Sequence, residues 1–464
     1  LNLFFEIMKF SYFLLLLFLC FQAHAQFGPQ QIISSDARYA RSVFAADING
    51  NGHQDVIASA RVGDFHIAWF ENLGGEGNFG APQIIEDDFF DQIHKIVAAD
   101  LDNDGDIDVL ASASNTGEIV WYENLDGRGN FSARKVIDII PKTFSVIAAD
   151  VDGDGDLDII GVSRENGHGL FWFENLDGQG NFSEKKIIDS QISSRSVVAV
   201  DFDGDGDLDI LINGHTTYKI SWYENLDGQG NFGPKQIVDG TGMYANMVAA
   251  GDINGNGAMD IVFASNGDNE VAWFENLDGL GNFGPKRIIT NNLLTAVAVF
   301  IADLDNDGDM DVLATSVEVY GGEVVWFENL DGAGNFSEKK VISTEVMSPY
   351  SVIAADIDGD GDMDVISASQ NDDKIAWYRN QTLGVDDFQE NDFKIYPVPS
   401  NEKVFIASKH DNIRQITVFD MLGQRVMQLK GDHREMDISQ LQTGMYVVSI
   451  KTDRGTVTRK IIKE

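Results

Sequence analysis

An all-β chain is predicted, a seven-bladed β-propeller followed by a small Ig-like β-sandwich, from three features of the sequence. All seven tryptophans, at 69, 121, 172, 222, 273, 326 and 377, recur at steps of 50 to 53 residues. Each opens one phrase, as in Trp222-Tyr-Glu-Asn-Leu-Asp-Gly-Gln-Gly-Asn-Phe232, and each follows an aspartate-rich loop such as Asp150-Val-Asp-Gly-Asp-Gly-Asp-Leu-Asp158. Past Asn380 the pattern stops and shorter alternating segments take over. Units of about fifty residues that read as four short strands are propeller blades, because solenoid repeats of that length are mostly helical.

The N-terminal 25 residues read as a secretory leader. From Met8 the order is Lys9, an apolar run from Phe13 to Phe21, then Ala23-His24-Ala25. A charged start, a short apolar core and a small-x-small end define a cleavage site, here after Ala25. The single cysteine, Cys20, lies inside this segment. The mature chain would therefore hold itself by packing and metal alone.

Residues 26–380 are assigned to the propeller. In each unit an apolar strand (Val146 to Ala149) runs into the aspartate loop and a second (Ile159 to Val162) leaves it. A third carries the tryptophan, and the Asp-Gly-x-Gly stretch turns the chain into a fourth beginning at Phe182. The seventh unit ends at Trp377-Tyr-Arg-Asn without a fourth strand. The missing piece is at the other end: Phe27-Gly-Pro-Gln-Gln-Ile-Ile33 matches Phe232-Gly-Pro-Lys-Gln-Ile-Val238. Residues 27–33 are expected to complete the last blade and leave no open edge.

The aspartate loops place side-chain oxygens at positions one, three, five and nine and glycine at six, so hard ligands converge in a tight turn. The candidate metal ligands are Asp47, Asn49, Asn51 and Asp55, then Asp100, Asp102, Asp104 and Asp108, then Asp150, Asp152, Asp154 and Asp158. They continue with Asp201, Asp203, Asp205 and Asp209, and with Asp252, Asn254, Asn256 and Asp260. Asp303, Asp305, Asp307 and Asp311, and finally Asp356, Asp358, Asp360 and Asp364, complete the set. Like charges near 4 Å repel by about 4 kcal/mol per pair at an effective dielectric of 20, so such clusters call for a cation. Up to seven structural Ca²⁺ ions are expected, with the first and fifth loops weakest because asparagine replaces aspartate there.

These loops, with the Asn-x-Asp-Gly-x-Gly-Asn-Phe turns, resemble the FG-GAP/VCBS repeats of integrin-type propellers and of fungal and bacterial lectins. The resemblance spans about residues 27–380 and implies that the loops bind calcium structurally.

Residues 381–390 read as a linker. Residues 391–464 carry 12 Lys+Arg against 9 Asp+Glu, so the net charge of -41 belongs to the propeller. That charge argues against nucleic acid as a partner. Lys394-Ile-Tyr-Pro-Val-Pro-Ser400, Asp437-Ile-Ser-Gln-Leu-Gln-Thr-Gly-Met-Tyr446 and Lys460-Ile-Ile-Lys463 resemble the C-terminal sorting domain of the type IX (Por) secretion system. The resemblance implies export across the outer membrane to the cell surface or beyond, with the secretion machinery as one partner.

Six residues before each first loop aspartate stand Arg41, His94, Phe144, Arg195, Asn246, Val297 and Tyr350. This position is expected to ring the channel mouth on the face opposite the metal loops. A varied ring on a uniform framework suits recognition of an asymmetric ligand. A binding or adhesion role for a monomeric protein follows, toward an extracellular glycan or surface protein. The alternative is a polysaccharide lyase or hydrolase, for which only His94, Arg41, Arg195 and Tyr350 could act as base and charge stabilisers. No nucleophile–base pair stands out in the sequence.

Overall fold

The computed structural model describes residues 26–381, except 62–64, 89–91, 166, 215–218, 240–243 and 319–320, and most of 393–463. The expected leader with Cys20, and nearly all of the expected linker, lie outside the described residues. The chain divides into two compact units, one running to Thr382 and the other starting at Leu383.

The first unit contains seven four-stranded antiparallel sheets. In the third blade the strands are Thr143–Ala149, Asp158–Ser163, Leu170–Phe173 and Lys186–Asp189, paired in chain order. The second strand is buried along its whole length, as are its counterparts Asp108–Ala113 and Asp364–Ser369. A sheet covered on both faces by neighbouring blades needs an apolar run, and Ile159-Ile-Gly-Val162, between Asp158 and Ser163, supplies one. The outer strand is only half-buried, which suits Lys-Ile-Ile-Asp. It begins later than the sequence suggests. Phe182 forms an isolated bridge to Asn175, the Ser183 hydroxyl accepts the Glu174 N–H at 3.0 Å, and regular pairing resumes only at Lys186.

Between the third and fourth strands, the second glycine of each turn lies against the tryptophan of the preceding blade. A Cβ at Gly180 would sit 2.5 Å from the Trp121 ring, and one at Gly129 would sit 2.3 Å from Trp69. Here glycine serves as a docking surface as well as a turn residue.

The ring closes as the sequence implies. Gln31–Ser34 pairs antiparallel with Lys374–Tyr378, with Gln31 opposite Trp377. Phe27 bridges Asn380 just as Phe131 bridges Asn124 and Phe232 bridges Asn225. The Phe27 ring also meets Trp326 of the sixth blade edge-on at 6.1 Å.

The second unit has a three-stranded sheet (Phe393–Tyr396, Lys403–Ser408, Glu435–Asp437) and a four-stranded sheet. The latter contains Arg425–Lys430, Ile413–Phe419, Gly444–Thr452 and Thr456–Lys463. Val404, Ile406, Ile416, Val418, Met436, Val448, Ile450 and Ile461 pack into one core between them. This is the expected small sandwich.

Candidate metal loops and a cationic channel cavity

Each aspartate loop is built from backbone hydrogen bonds first. The position-one carboxylate accepts the N–H of the position-six glycine in all seven loops, at 2.7 to 3.1 Å. The position-nine carboxylate accepts two backbone N–H groups, one from loop position two and one from the asparagine two residues beyond the tryptophan-flanking residue. For Asp158 the donors are Val151 at 3.0 Å and Asn175 at 2.7 Å. The same clamp recurs from Asp55 to Asp364. The asparagine amide then donates to the position-two carbonyl of the preceding blade, at 2.6 to 2.9 Å around the whole ring.

The seven loops fall into three kinds. In the second, third, fourth and sixth, positions one, three and nine bring carboxylate oxygens within 4.8 Å of one another: Asp100/Asp102/Asp108, Asp150/Asp152/Asp158, Asp201/Asp203/Asp209 and Asp303/Asp305/Asp311. Position-three oxygens of Asp102, Asp152 and Asp305 are buried without a hydrogen-bond partner. Burial pushes the position-nine carboxyls of these loops up to about 7, with neighbouring aspartates adding to it and the two N–H donors opposing it. Orphaned, converging hard oxygens fit a divalent cation. Position five is not part of these triads. Asp104, Asp154, Asp205 and Asp307 are exposed, and each accepts the N–H two residues on at 2.9 Å.

In the first and fifth loops the position-three amide is satisfied within the blade. Asn49 donates to Glu71 at 3.2 Å and Asn254 to Glu275 at 3.1 Å. No acidic triad forms at either loop among the described residues.

The seventh loop differs in a way the sequence reading passed over. Six blades carry glutamate after the tryptophan pair, but the seventh carries Arg379. Its guanidinium reaches Asp358 at 2.5 Å and Asp360 at 3.0 Å. The converging oxygens there belong to Asp356, Asp358 and Asp360, away from Asp364. The Trp377-Tyr-Arg-Asn phrase was itself the signal.

The seven ring positions meet at one place. Arg41, His94, Phe144, Arg195, Asn246, Val297 and Tyr350 all line a single cavity of about 400 Å³. In five blades the innermost strand shifts register at this position, between Ile93 and Lys95, Thr143 and Ser145, Ala245 and Met247, Pro349 and Ser351, and, across Val297, between Ala296 and Val299. In the first four of these the extra residue of the bulge is the ring residue, re-aimed out of the ladder.

The aromatic rings there hold arginines. The Arg41 guanidinium lies 4.0 Å above the Tyr350 ring, and Arg195 and Arg164 flank Phe144 at 5.4 and 4.9 Å. Arg195 also donates to Asn246 Oδ1 at 2.7 Å. Both arginines are half-buried, and that burial lowers the pKa of Arg41 and takes that of Arg195 down to about 10. His94 packs on Phe144 at 4.4 Å, and burial with Arg41, Arg195 and Arg164 holds its pKa down to about 2. It is a neutral imidazole.

Several comparisons place the chain among known proteins. The FG-GAP-like repeat family matches residues 47–111, 100–161, 150–212, 252–314 and 316–367, more than half of the sequence, and the chain belongs to that family. The secretion system C-terminal sorting domain matches residues 394–464. The second unit is therefore a type IX secretion sorting domain, and the protein is exported to the cell surface. No curated protein matches the chain in sequence. Among solved structures, BBS1N in complex with ARL6DN is similar at a TM-score of 0.53 and 9% identity, over 77% of this chain and 98% of that one. PorZ, described as a bacterial surface component of the type-IX secretion system of Porphyromonas gingivalis, gives a TM-score of 0.43 and 11% identity, over 92% of this chain and 59% of that one. At these identities the first likeness concerns the fold alone.

Proposed function

We propose that this exported protein is a calcium-braced binding module that captures an extracellular glycan or surface protein at the cationic end of its propeller channel. The observation that carries the reading is the convergence of the seven ring positions, varied in chemistry, on one cavity, while strand order repeats in every blade. Ca²⁺ would be held by positions one, three and nine of the acid-rich loops, where it would supply positive charge to orphaned carboxylates and rigidify the turn. The role is structural, since those loops are built into the inter-blade stitching.

Binding is favoured over catalysis by the make-up of the cavity. It offers no carboxylate pair among the described residues, and its one imidazole packs on an aromatic ring beside three arginines. A glycan array probed with the full chain, alongside a reducing-end assay on the glycans it binds, tests the reading. Replacing Arg41 and Arg195 together by glutamine should abolish capture at unchanged calcium stoichiometry. Release of reducing ends, or normal capture by the double variant, would overturn it.

A further inference from the structure

The lining of the channel cavity contains a residue that the ring position does not include. One step after the ring residue, the seven blades carry Ser42, Lys95, Ser145, Ser196, Met247, Ala298 and Ser351. Serine at this position has a structural task. The Ser42 hydroxyl accepts the Ile96 N–H of the next blade at 3.1 Å, and the Ser196 hydroxyl accepts the Val248 N–H at 3.4 Å. Lys95 replaces that cross-blade hydrogen bond with an ammonium group. Its side chain lines the cavity and is otherwise enclosed, and burial lowers its pKa. No acceptor among the described residues pairs with it.

Lys95 has company of the same sign. Arg41 and Arg195 line the same cavity, and the Nε of each is buried without a hydrogen-bond partner among the described residues. No aspartate or glutamate lines the cavity among the described residues. This occurs in a chain with 74 acidic residues against 33 basic ones, so the separation of charge cannot be a matter of composition. Three enclosed cations without a counter-ion repel one another and destabilise the fold. Cations that line one cavity without a counter-ion become favourable when an oxyanion neutralises them. Around them stand Ser42, Ser145, Asn246 and Ser351, small polar groups suited to hydroxyls. The rings of Phe144 and Tyr350 are already covered by guanidinium groups, which argues against a neutral sugar stacked on an aromatic face.

We propose that the channel cavity binds a sugar-sized ligand through one oxyanion, with Lys95 as the deep charge and Arg41 and Arg195 closing over it. This deepens the binding reading above and rests on it. Carboxylate, sulfate and phosphate share the required chemistry, and the cavity volume of about 400 Å³ admits any of them on a monosaccharide.

Isothermal titration of the full chain with glucuronate, galactose 6-sulfate, glucose 6-phosphate and glucose separates the sources. At least one charged sugar should bind at least about ten-fold more tightly than glucose, and its affinity should fall with salt. Lys95→Ser and Lys95→Met should each lose about ten-fold or more in affinity for that ligand, one charge-assisted hydrogen bond being worth at least a factor of ten. Lys95→Ser should keep or raise the melting temperature, because the serine of other blades offers a cross-blade hydrogen bond instead. The proposal is overturned if glucose binds as well as the charged sugars, if no charged sugar binds, or if both Lys95 variants bind normally. Neutral glycans captured on the array and lost on replacing Arg41 and Arg195 would leave the binding reading standing while removing the anion.

Discussion

The Asn72 side-chain amide donates to the Ile357 carbonyl at 2.6 Å, joining the first blade to the last. The same bond joins Asn225 to Val151 at 2.8 Å in the middle of the ring, so the seam uses the fastener found between all other blades. Asn72→Ala leaves a buried carbonyl unpaired and should destabilise by about 1–3 kcal/mol, as Asn225→Ala should. Denaturant titration of the two variants measures this, and an unchanged midpoint for Asn72→Ala would show the seam to be held elsewhere. Deleting residues 27–33 should go further, exposing the edge of Lys374–Tyr378 and causing aggregation.

Calcium should bind four loops tightly rather than seven. The first and fifth satisfy position three with Glu71 and Glu275, and Arg379 occupies the charge of the seventh. Titration of the metal-stripped protein should give about four strong sites, and chelation should lower the melting temperature, since each site at a thousandfold excess over Kd adds about 4 kcal/mol. Arg379→Glu restores the residue of the other blades and should add one site. Seven equal sites, or no gain in that variant, would contradict the three kinds of loop.

Position nine is expected to matter without metal. Asp55 belongs to a loop with no acidic triad, yet it accepts Ile48 and Asn72 N–H groups at 3.2 and 2.8 Å. Asp55→Ala should therefore cost on the order of 3 kcal/mol, comparable to Asp158→Ala, when both are measured in chelator. If only Asp158→Ala destabilises, and only when calcium is present, position nine is a ligand and nothing more.

His94 should not titrate near neutrality. Unfolded, its pKa is about 6.5; folded, burial and the charges of Arg41, Arg195 and Arg164 hold it down to about 2. Between those values the unfolded chain binds the extra proton. Stability therefore falls as pH drops below about 6.5, and His94 contributes no change above it. Affinity for a carboxylate or sulfate sugar, which does not itself titrate there, should show no step near pH 6.5. An imidazole NMR signal from His94 titrating there would contradict the enclosed, cationic setting.

Much of this was legible in the sequence because repetition amplifies weak signals. Seven copies of one phrase reveal blade length, loop spacing and the displaced strand at Phe27, where a single copy would show only a turn. The ring residues were found by the same alignment of one repeat on the next. What escaped was whatever depends on a partner brought in by folding. Lys95 stands one place from the ring, and only its neighbours Ser42 and Ser196 show what it displaces. Arg379 stands 19 residues beyond Asp360, at the end of the third strand, so its effect on the seventh loop needed that strand laid beside the loop. The second glycine of each turn read as turn chemistry, while the tryptophan beneath it belongs to another blade.

The displaced strand has a mechanical consequence. A linear array of repeats frays from its terminal units, each lacking one neighbour, but a closed ring has no terminal unit. Among the described residues, the last blade alone is made of two stretches, Gln31–Ser34 and Pro349–Tyr378, that no covalent turn connects, and opening is expected to begin there. Any force carried along the chain from the sorting domain enters the propeller at that blade, through Asn380. The strength of the whole assembly under tension is thus set by a few residues of non-covalent pairing, with Phe27 wedged against Trp326 as their buttress.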